Sequence, residues 1–540
     1  MLIQDWILLL DCIIALVFLF WSLNRQSASG SNRWRLAFLM PVTACLFHVI
    51  FFRTEWCLTG IYLGSILAGL GFFVTKVSIR KKSLVLAGIL CITTIVPCYL
   101  IDSYRKAHYV AEFEEGFACM KEYYTLSEHK NIHWDELYEE YLPLFQEAEK
   151  EQDAVANSIA WMQFCNEFYD AHVGYAPREA EDMQEAITER VVGNDYGLAT
   201  VQLDSGEFVA VLVEPGSQAE LAGIRTGTVI VEWNGKKPDD WLDTCRERMH
   251  QSTICGNVDN QEFYVGCYLA GIGEEQVQVA FLDESGNQKT VILDAMDSYA
   301  ERFEDVAALL TYKEPRANIS VTAINDDIIV LNTNMMEFSS ETSASSDYGS
   351  LQASLREQLI PYRDAGATKL IIDLRNNGGG STKMAQAIVA LVAEGEIFWA
   401  ADGAYNEATG EHEILNTYSI SGENLWEDGE IVVLTNSNCG SAANHCLDAL
   451  QELDNVTVIG LTQPAGMAQG VTSVRLEYGM LAFSGTCVVD ENADIWIDSD
   501  ESGKARLQVD EQIPFDEKAV EAIFLRGEDY VMNYAIEYMQ

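Results

Sequence analysis

Two strand–turn–helix joints carry the residues of this chain that could do chemistry. The first reads Lys369-Leu-Ile-Ile-Asp-Leu-Arg-Asn-Asn-Gly-Gly-Gly380, and the second reads Ile431-Val-Val-Leu-Thr-Asn-Ser-Asn-Cys-Gly-Ser-Ala-Ala443. Each runs from a short apolar strand through a tight turn into a helical pattern. One turn offers glycine amides that no side chain shields, and the other offers Ser441 at the start of a helix. Acyl transfer needs such a nucleophile close to backbone donors for the oxyanion.

Each joint also has a purely structural interpretation. A serine that opens a helix is most often an N-cap, and three glycines often form only a tight turn. In the catalytic interpretation, Ser441 Oγ lies at the positive end of the helix dipole, which favours developing negative charge. The amide of Ala442 would then donate to an oxyanion, although the GxSxG pattern of nucleophile elbows is absent.

Taken together, the joints resemble the C-terminal processing (tail-specific) serine peptidases and their tricorn-like relatives. The resemblance rests on Asp373-Leu-Arg-Asn-Asn-Gly-Gly-Gly380 and Asn438-Cys-Gly-Ser-Ala-Ala443, and it covers roughly residues 103–525. It implies that Ser441 is the nucleophile. It also implies that the oxyanion donors are the amides of Ala442 and of Gly378 or Gly379, and that no metal or organic cofactor takes part.

The resemblance also suggests a general base. One branch of the family uses a lysine downstream of the serine, but residues 460–470 contain no lysine. The tricorn-like branch uses a histidine from a helical cap, and Asp170-Ala-His-Val-Gly174 resembles its segment. His172 is therefore expected to take the Ser441 proton as a neutral imidazole. Ala171 departs from that branch, which has a polar residue there, and a purely structural histidine is the alternative.

Four other residues are candidates for a role beside Ser441 and His172. Glu511 falls where the tricorn-like branch carries a glutamate, with Asp510 as the competing carboxylate. His445 lies one helical turn after the serine, but most of its rotamers would point away from Oγ. Cys439 is a rival nucleophile that nothing nearby marks as activated.

The elements that must position these residues follow from the apolar periodicity. From about residue 305 strands alternate with helices, which predicts an α/β core with a largely parallel sheet. The resemblance implies a crotonase-like/ClpP-like catalytic fold for this core. Strands are predicted at 328–331, 369–374, 431–434 and 456–460, and helices at 350–365, 384–394, 441–453 and 517–538.

A β-rich module is predicted before the core, because residues 190–300 consist of short alternating runs with glycine turns. Residues 211–235 resemble a PDZ domain. Its carboxylate-binding loop would be Tyr196, Gly197, Leu198 and Ala199, which would capture a peptide C-terminus as an added strand. A purely structural insert is the alternative.

Four apolar runs begin the sequence, at residues 6–23, 36–52, 57–75 and 83–101. Each is about the ~20 residues that a helix needs to cross a bilayer, so they predict four transmembrane helices. Basic residues concentrate in the first and third connecting segments, which the positive-inside rule places in the cytoplasm. The sequence thus predicts a multi-pass protein of the cytoplasmic membrane, with the lipid bilayer as a partner and residues 102–540 on the outer face.

The predicted organisation therefore has four parts. Residues 1–101 form the transmembrane helices, 102–188 a helical cap carrying His172, 189–300 the PDZ-like module, and 301–540 the α/β serine peptidase core. The net charge is −48, and residues 1–101 carry a net charge of +5, which leaves −53 on residues 102–540. Such an acidic region repels nucleic acid. The cysteines form no CxxC pair, which removes support for a zinc ribbon or a thioredoxin-like site.

Three functions of different classes are compatible with these features. The first is a membrane-anchored extracytoplasmic serine endopeptidase that cleaves unfolded or C-terminally presented protein segments. The second is an inactive pseudo-peptidase that binds peptides or signals, motivated by the missing lysine and by Ala171. The third is a signalling or transport protein in which the apolar helices act, with Asp11 as its one indication. Nothing in the sequence specifies an oligomeric state.

Overall fold

Three helices begin the described chain and pack around aromatic side chains. The computed structural model describes residues 106–178, 180–251, 256–312, 317–337, 347–406 and 408–540. The cap consists of helices α1 (Tyr109–Tyr123), α2 (Trp134–Glu151) and α3 (Ala154–Asn166), followed by strand β1 (Gly174–Pro177). Phe113 is fully buried at its centre and stacks on Phe145, with ring centroids 4.2 Å apart.

A five-stranded antiparallel sheet follows the cap. Its strands, in the order β2-β3-β4-β5-β6, are β2 (Ala199–Gln202), β3 (Phe208–Val211), β4 (Val229–Trp233), β5 (Gln276–Leu282) and β6 (Gln288–Asp294). The helices around it are α4 (Ala180–Val192), α5 (Gln218–Ala222), α6 (Leu242–His250), α7 (Val258–Tyr264) and α8 (Ala300–Thr311), with a 3₁₀ segment at Val265–Gly271. This β-rich module spans the region where a PDZ-like domain is predicted, and its identity as a PDZ domain stays a prediction.

The α/β core contains a six-stranded sheet. Its strands, in the order β17-β13-β12-β9-β8-β7, are β7 (Ile319–Ala323), β8 (Ile328–Thr333), β9 (Lys369–Asp373), β12 (Glu430–Thr435), β13 (Val456–Gly460) and β17 (Glu511–Gln512). The connecting helices are α9 (Tyr348–Asp364), α10 (Thr382–Val392) and α11 (Ala442–Gln451). All the strand pairs are parallel except β7 with β8. The predicted α/β core with a largely parallel sheet is therefore confirmed.

The inner strands of the core sheet, β8, β9, β12 and β13, bury side chains on both faces, in different clusters. In β9, Ile371 packs in the cluster shared with the β-rich module, whereas Leu370 and Ile372 pack in the cluster under α9, α10 and α11. Successive side chains of a strand point to opposite faces. A parallel sheet covered on both sides therefore reads as a continuous apolar run, which is why these strands could be predicted.

The two joints meet because β9 and β12 are neighbours in this sheet. Leu434 of β12 pairs with Asp373 of β9 in parallel register. Since parallel strands end at the same edge of a sheet, the glycine turn after β9 and the serine turn after β12 emerge side by side.

Several further elements were not predicted. They are a hairpin of β10 (Glu394–Asn406) and β11 (Glu411–Glu423), and strands β14 (Gly470–Arg475), β15 (Gly479–Thr486) and β16 (Val488–Val489). The predicted helix at 517–538 is divided into α12 (Glu517–Val520), a π-helical turn at Glu521–Leu525, and α13 (Tyr530–Tyr538). Gly527 has a φ of +62° at the break, and the Asp529 side chain accepts the Met532 amide to begin α13.

The structure contradicts the prediction of a multi-pass membrane protein with a four-helix transmembrane part. Among residues 106–540, within the ranges given above, no helix combines the length and apolarity that crossing a bilayer requires. The longest of these helices, α2, has 18 residues and carries charged side chains along its length, which hydrocarbon would not accept. The four apolar runs at 1–101 themselves lie outside the described residues.

The cap is fixed to the core by a buried lysine. Lys130 Nζ donates to the Ser499 carbonyl at 2.5 Å, to Ser499 Oγ at 2.7 Å and to the Tyr169 carbonyl at 3.3 Å. Beside it, Asp170 accepts hydrogen bonds from Tyr124 OH and Ser484 Oγ. These contacts hold the turn that carries residue 172 between the cap and the segment after β15.

We predict that Lys130→Met lowers the free energy of unfolding by about 1–3 kcal/mol, because the Ser499 and Tyr169 acceptors would lose their buried donor. Urea unfolding followed by tryptophan fluorescence measures this change. The matched control is Lys121→Met, whose ammonium pairs with Asp135 on the cap surface. The control is expected to change stability by less than about 1 kcal/mol, and equal effects of the two variants would contradict the prediction.

Candidate active site

Ser441 occupies a strained turn between β12 and α11. Its backbone has φ +54° and ψ −127°, a conformation that non-glycine residues rarely adopt and that tends to occur at functional sites. Its amide donates to the Met467 carbonyl at 2.9 Å, and the Gly440 amide donates to the Asn377 carbonyl at 3.0 Å. The Ser441 side chain makes no capping hydrogen bond to α11. The N-cap interpretation of this serine therefore does not hold.

Gly379 lies directly against Ser441. A Cβ atom on Gly379 would stand 2.6 Å from Ser441 Cβ and 3.0 Å from the Ala442 nitrogen. The glycine also has a φ of +99°, which L-residues rarely adopt. Both the close approach and the backbone conformation thus require glycine at this position.

Side chains of the Asp373-Leu-Arg-Asn-Asn segment hold the glycine turn in place. The buried Arg375 guanidinium donates to both carboxylate oxygens of Asp373, at 2.9 and 2.7 Å, and to both of Asp529, at 2.6 and 2.9 Å. The Asn377 side chain donates to the Thr333 carbonyl at 2.6 Å and accepts the Gly379 amide at 2.9 Å. These polar residues of the motif thus have structural partners, and they fix where the glycines lie.

The backbone amides at this turn differ in availability. The Gly379 amide already donates to the Asn377 side chain. The amides of Gly378 and Ala442 have no acceptor within the described part of the chain. The Gly380 amide shares this property, and sequence reasoning missed it as a candidate. Of the two glycine donors that the resemblance implied, Gly378 is therefore the one with a free N–H.

His172 lies in the turn between α3 and β1. Its imidazole is 9% exposed, and its Nδ1 is buried without a hydrogen-bond partner in the described residues. Burial lowers the pKa of His172 from its usual value, and the neighbouring Asp170 carboxylate opposes part of that effect. The ring is therefore neutral at pH 7, as a general base must be.

His445 stands close to His172 but is turned toward another group. Its Nε2 lies 2.9 Å from the Ala468 carbonyl, and the rings of Trp399 and Trp496 lie 5.8 and 5.6 Å away. Burial lowers the pKa of His445, and a charge on His172 would lower it further. The two imidazoles therefore lie in one buried region beside α11, with the Nε2 of His445 directed at Ala468.

Asp498 is a buried carboxylate of this region that sequence reasoning missed. It is 1% exposed, and it accepts the Ala468 amide at 3.2 Å and the Gln469 side-chain amide at 2.7 Å. Burial, followed by the charge of Asp170, raises the pKa of Asp498 to about 7. Asp498 belongs to an acidic run that resembles a solvated turn, so nothing local distinguished it from Asp500.

Glu511 and Asp510 have other partners. Glu511 accepts a hydrogen bond from Tyr534 OH at 2.7 Å, and Asp510 accepts the Val458 amide at 2.7 Å. Neither carboxylate is hydrogen-bonded to Ser441 or His172 where the structure describes them. A catalytic role for Glu511 stays a prediction without a supporting contact.

The predicted carboxylate-binding loop at Tyr196–Ala199 is buried. The amide of Gly197 donates to Asp195 Oδ1 at 2.8 Å, and the Tyr196 hydroxyl donates to the Glu274 carbonyl at 2.8 Å. The free edge of β2 is covered by the 3₁₀ segment, where the Gly266 carbonyl accepts the Thr200 hydroxyl at 2.8 Å. Peptide capture at this loop stays a prediction, and in this conformation the edge has no room for an added strand.

Cys439 is a buried thiol rather than an exposed one. Burial raises its pKa to about 12. Since the thiolate is the nucleophilic form of cysteine, a neutral buried thiol is a poor nucleophile. The rival interpretation of Cys439 therefore has no support in its environment.

Comparison with known proteins agrees with this arrangement. Residues 333–497, which include both turns and end just before Asp498, match Peptidase family S41. Mature CPAF complexed with lactacystin is similar in structure, at 12% identity and a TM-score of 0.50 over 80% of this chain and 97% of that chain. A photosystem II D1 C-terminal processing protease matches at 18% identity and a TM-score of 0.33, over 79% of this chain and 99% of that chain.

A third solved structure, of a protein from Parabacteroides merdae ATCC 43184, matches at 14% identity and a TM-score of 0.41, over 80% of this chain and 97% of that chain. At 12% identity, the likeness to mature CPAF supports the fold alone. No curated protein matches the sequence. The family match is thus confined to residues 333–497, and together with the peptidase fold it supports the conclusion that the chain is a serine peptidase.

Proposed function

We propose that the chain is an endopeptidase that cleaves unfolded or C-terminally presented protein segments through an acyl-enzyme on Ser441. The observation that carries this proposal is the contact between Gly379 and Ser441. It brings the Ser441 hydroxyl, which makes no capping hydrogen bond to α11, close to the glycine turn. The N–H groups of Gly378 and Ala442 at this turn have no acceptors in the described residues. Such preorganised donors are the largest single contribution to acyl-transfer catalysis.

The proposed reaction proceeds in two steps. His172 accepts the Ser441 proton as Oγ attacks the peptide carbonyl, and the oxyanion accepts hydrogen bonds from the amides of Ala442 and Gly378. The intermediate collapses when the C–N bond breaks and the imidazolium gives its proton to the leaving amine. A water molecule then attacks the acyl-enzyme as it gives a proton to His172. The imidazolium returns that proton to Ser441 Oγ when the ester bond breaks and the new C-terminus leaves.

We propose that Asp498, rather than Glu511, is the buried carboxylate that helps to position this site. It holds the Ala468 amide, while the carbonyl of the same residue faces His445 Nε2. Through this irregular segment before β14, the carboxylate positions the wall of the region in which both imidazoles lie. The assignment of Asp498 is supported by Ala468, which contacts both Asp498 and His445. Glu511 instead accepts a hydrogen bond from Tyr534.

For Ser441→Ala, we expect complete loss of peptide cleavage and of labelling by a fluorophosphonate. Labelling is read by intact-protein mass spectrometry. The matched control is Ser354→Ala on α9, whose hydroxyl bonds to the Ser350 carbonyl within the helix, and it should keep both activities. Undiminished labelling of Ser441→Ala would exclude Ser441, and absence of labelling and cleavage in the wild type would favour the pseudo-peptidase.

Gly379→Ala is predicted to lower kcat/KM by about 100-fold or more, the cost of losing an oxyanion donor. The added Cβ would displace Ser441 and the Ala442 amide. Gly286→Ala serves as the control, because Gly286 has a comparable φ of +77° with open space around its Cβ position. Its kcat/KM should stay within about twofold of the wild type, and a Gly379→Ala enzyme of equal activity would refute the proposed donors.

The raised pKa of Asp498 predicts a pH dependence of stability. The folded state retains this proton up to about pH 7, while the unfolded state loses it near 3.8, the ordinary pKa of an aspartate. The free energy of unfolding of the wild type relative to Asp498→Asn should therefore fall as pH rises from about 4 to 7.

Asp500→Asn provides a control of opposite sign, because hydrogen bonds from Ser502 lower the pKa of Asp500. Relative to this variant, the wild type should gain stability as pH rises through the pKa range of Asp500. Urea unfolding at several pH values measures both differences. A difference between wild type and Asp498→Asn that does not change with pH would contradict the assignment.

A further inference from the structure

A cavity of about 450 Å³ lies beside the serine turn, between the β-rich module and the core. Its walls include the aromatic rings of Tyr268 and Phe303, with Ser437 and Asn438 of the turn on one side. Two acceptors, Asn260 and Glu304, also line it. This volume is in the range of pockets that enclose a ligand or a large side chain.

Asn260 has an unused acceptor. The residue is 2% exposed, and its side-chain nitrogen donates to the Gln463 carbonyl at 3.0 Å and to the Pro464 carbonyl at 3.4 Å. These two carbonyls fix which end of the amide is the nitrogen. The other end, Oδ1, is buried and has no donor in the described residues. Buried acceptors are normally hydrogen-bonded, so this oxygen is available to a donor that enters the cavity.

Glu304 adds a negative charge at the same cavity. It lies on α8 with Phe303, and no lysine or arginine of the described ranges forms an ion pair with it. Residues 102–540 carry a net charge of −53, so the surrounding field also attracts cations.

We infer that this cavity is a substrate subsite for a lysine or arginine side chain, an inference that rests on the proposed peptidase function. Such a side chain combines an apolar stem with a head that only donates hydrogen bonds. The stem would lie along the Tyr268 and Phe303 rings, and the head would donate to Asn260 Oδ1 and the Glu304 carboxylate. An acidic side chain would meet two acceptors and a like charge.

The subsite lies within reach of the scissile bond. Asn438 is three residues before Ser441, and a chain spans at most about 3.3–3.6 Å per residue. The Asn438 Cα, on one wall of the cavity, is thus within about 11 Å of the serine Cα, a distance that about three residues of an extended peptide cover. The basic residue is therefore expected within three positions of the cleaved bond.

The test uses pairs of internally quenched peptides that carry either lysine or norleucine at one position. In successive pairs this position moves through the three residues on each side of the cleaved bond. Wild type is expected to show a lysine/norleucine ratio of kcat/KM of about tenfold at one position, as for a hydrogen bond to a charged group. Glu304→Gln should bring this ratio close to one, and Glu304→Lys should reverse the preference toward glutamate.

Glu301→Gln is the matched control, because it removes the same charge from the same helix without lining the cavity, and it should keep the wild-type ratio. A ratio near one at every position in the wild type, or an unchanged ratio in Glu304→Gln, would overturn the subsite while leaving the peptidase in place. If the wild type cleaves none of the peptides, the peptidase function fails and the subsite fails with it.

Discussion

The site depends on the close approach of Gly379 to Ser441. That approach follows from the pairing of β9 with β12, which brings two turns to the same sheet edge. The ion pair of Arg375 with Asp373 and Asp529 then holds the glycine turn against the serine. Because a methyl group at Gly379 would already be too close, the site has no tolerance for a longer side chain there. A strained serine backbone can persist only where its surroundings fix it this firmly.

The rest of the molecule supports this contact from two sides. From one side, the cap delivers His172 on a turn that Lys130 and Asp170 fix to the segment around Ser499. From the other, Asn444 of α11 accepts the amides of Gly466 and Met467 and donates to the Cys439 carbonyl. Cap, core sheet and the segment after β13 thus converge on one buried region, although they are distant in sequence.

The sequence predicted the parts of this arrangement that depend on local pattern. Buried parallel strands such as β9 and β13 are continuous apolar runs, and both turns have recognisable glycine and serine positions. Asp498 could not be distinguished from the other aspartates of its acidic run. Its raised pKa results from burial by segments distant in sequence, which its neighbours in the chain do not reveal. The peptide-binding interpretation of Tyr196–Ala199 did not anticipate the 3₁₀ segment over β2, and the hairpin β10–β11 lacks a clean alternation of buried residues.

A crystal structure of the protein with a peptide boronic acid tests the central contact most directly. A boronate forms a reversible bond to a nucleophilic serine and mimics the tetrahedral intermediate. Our account predicts boron bonded to Ser441 Oγ, with one boronate oxygen within about 3 Å of the Ala442 and Gly378 nitrogens. Boron bonded to another residue, or an oxygen directed away from both amides, would contradict it.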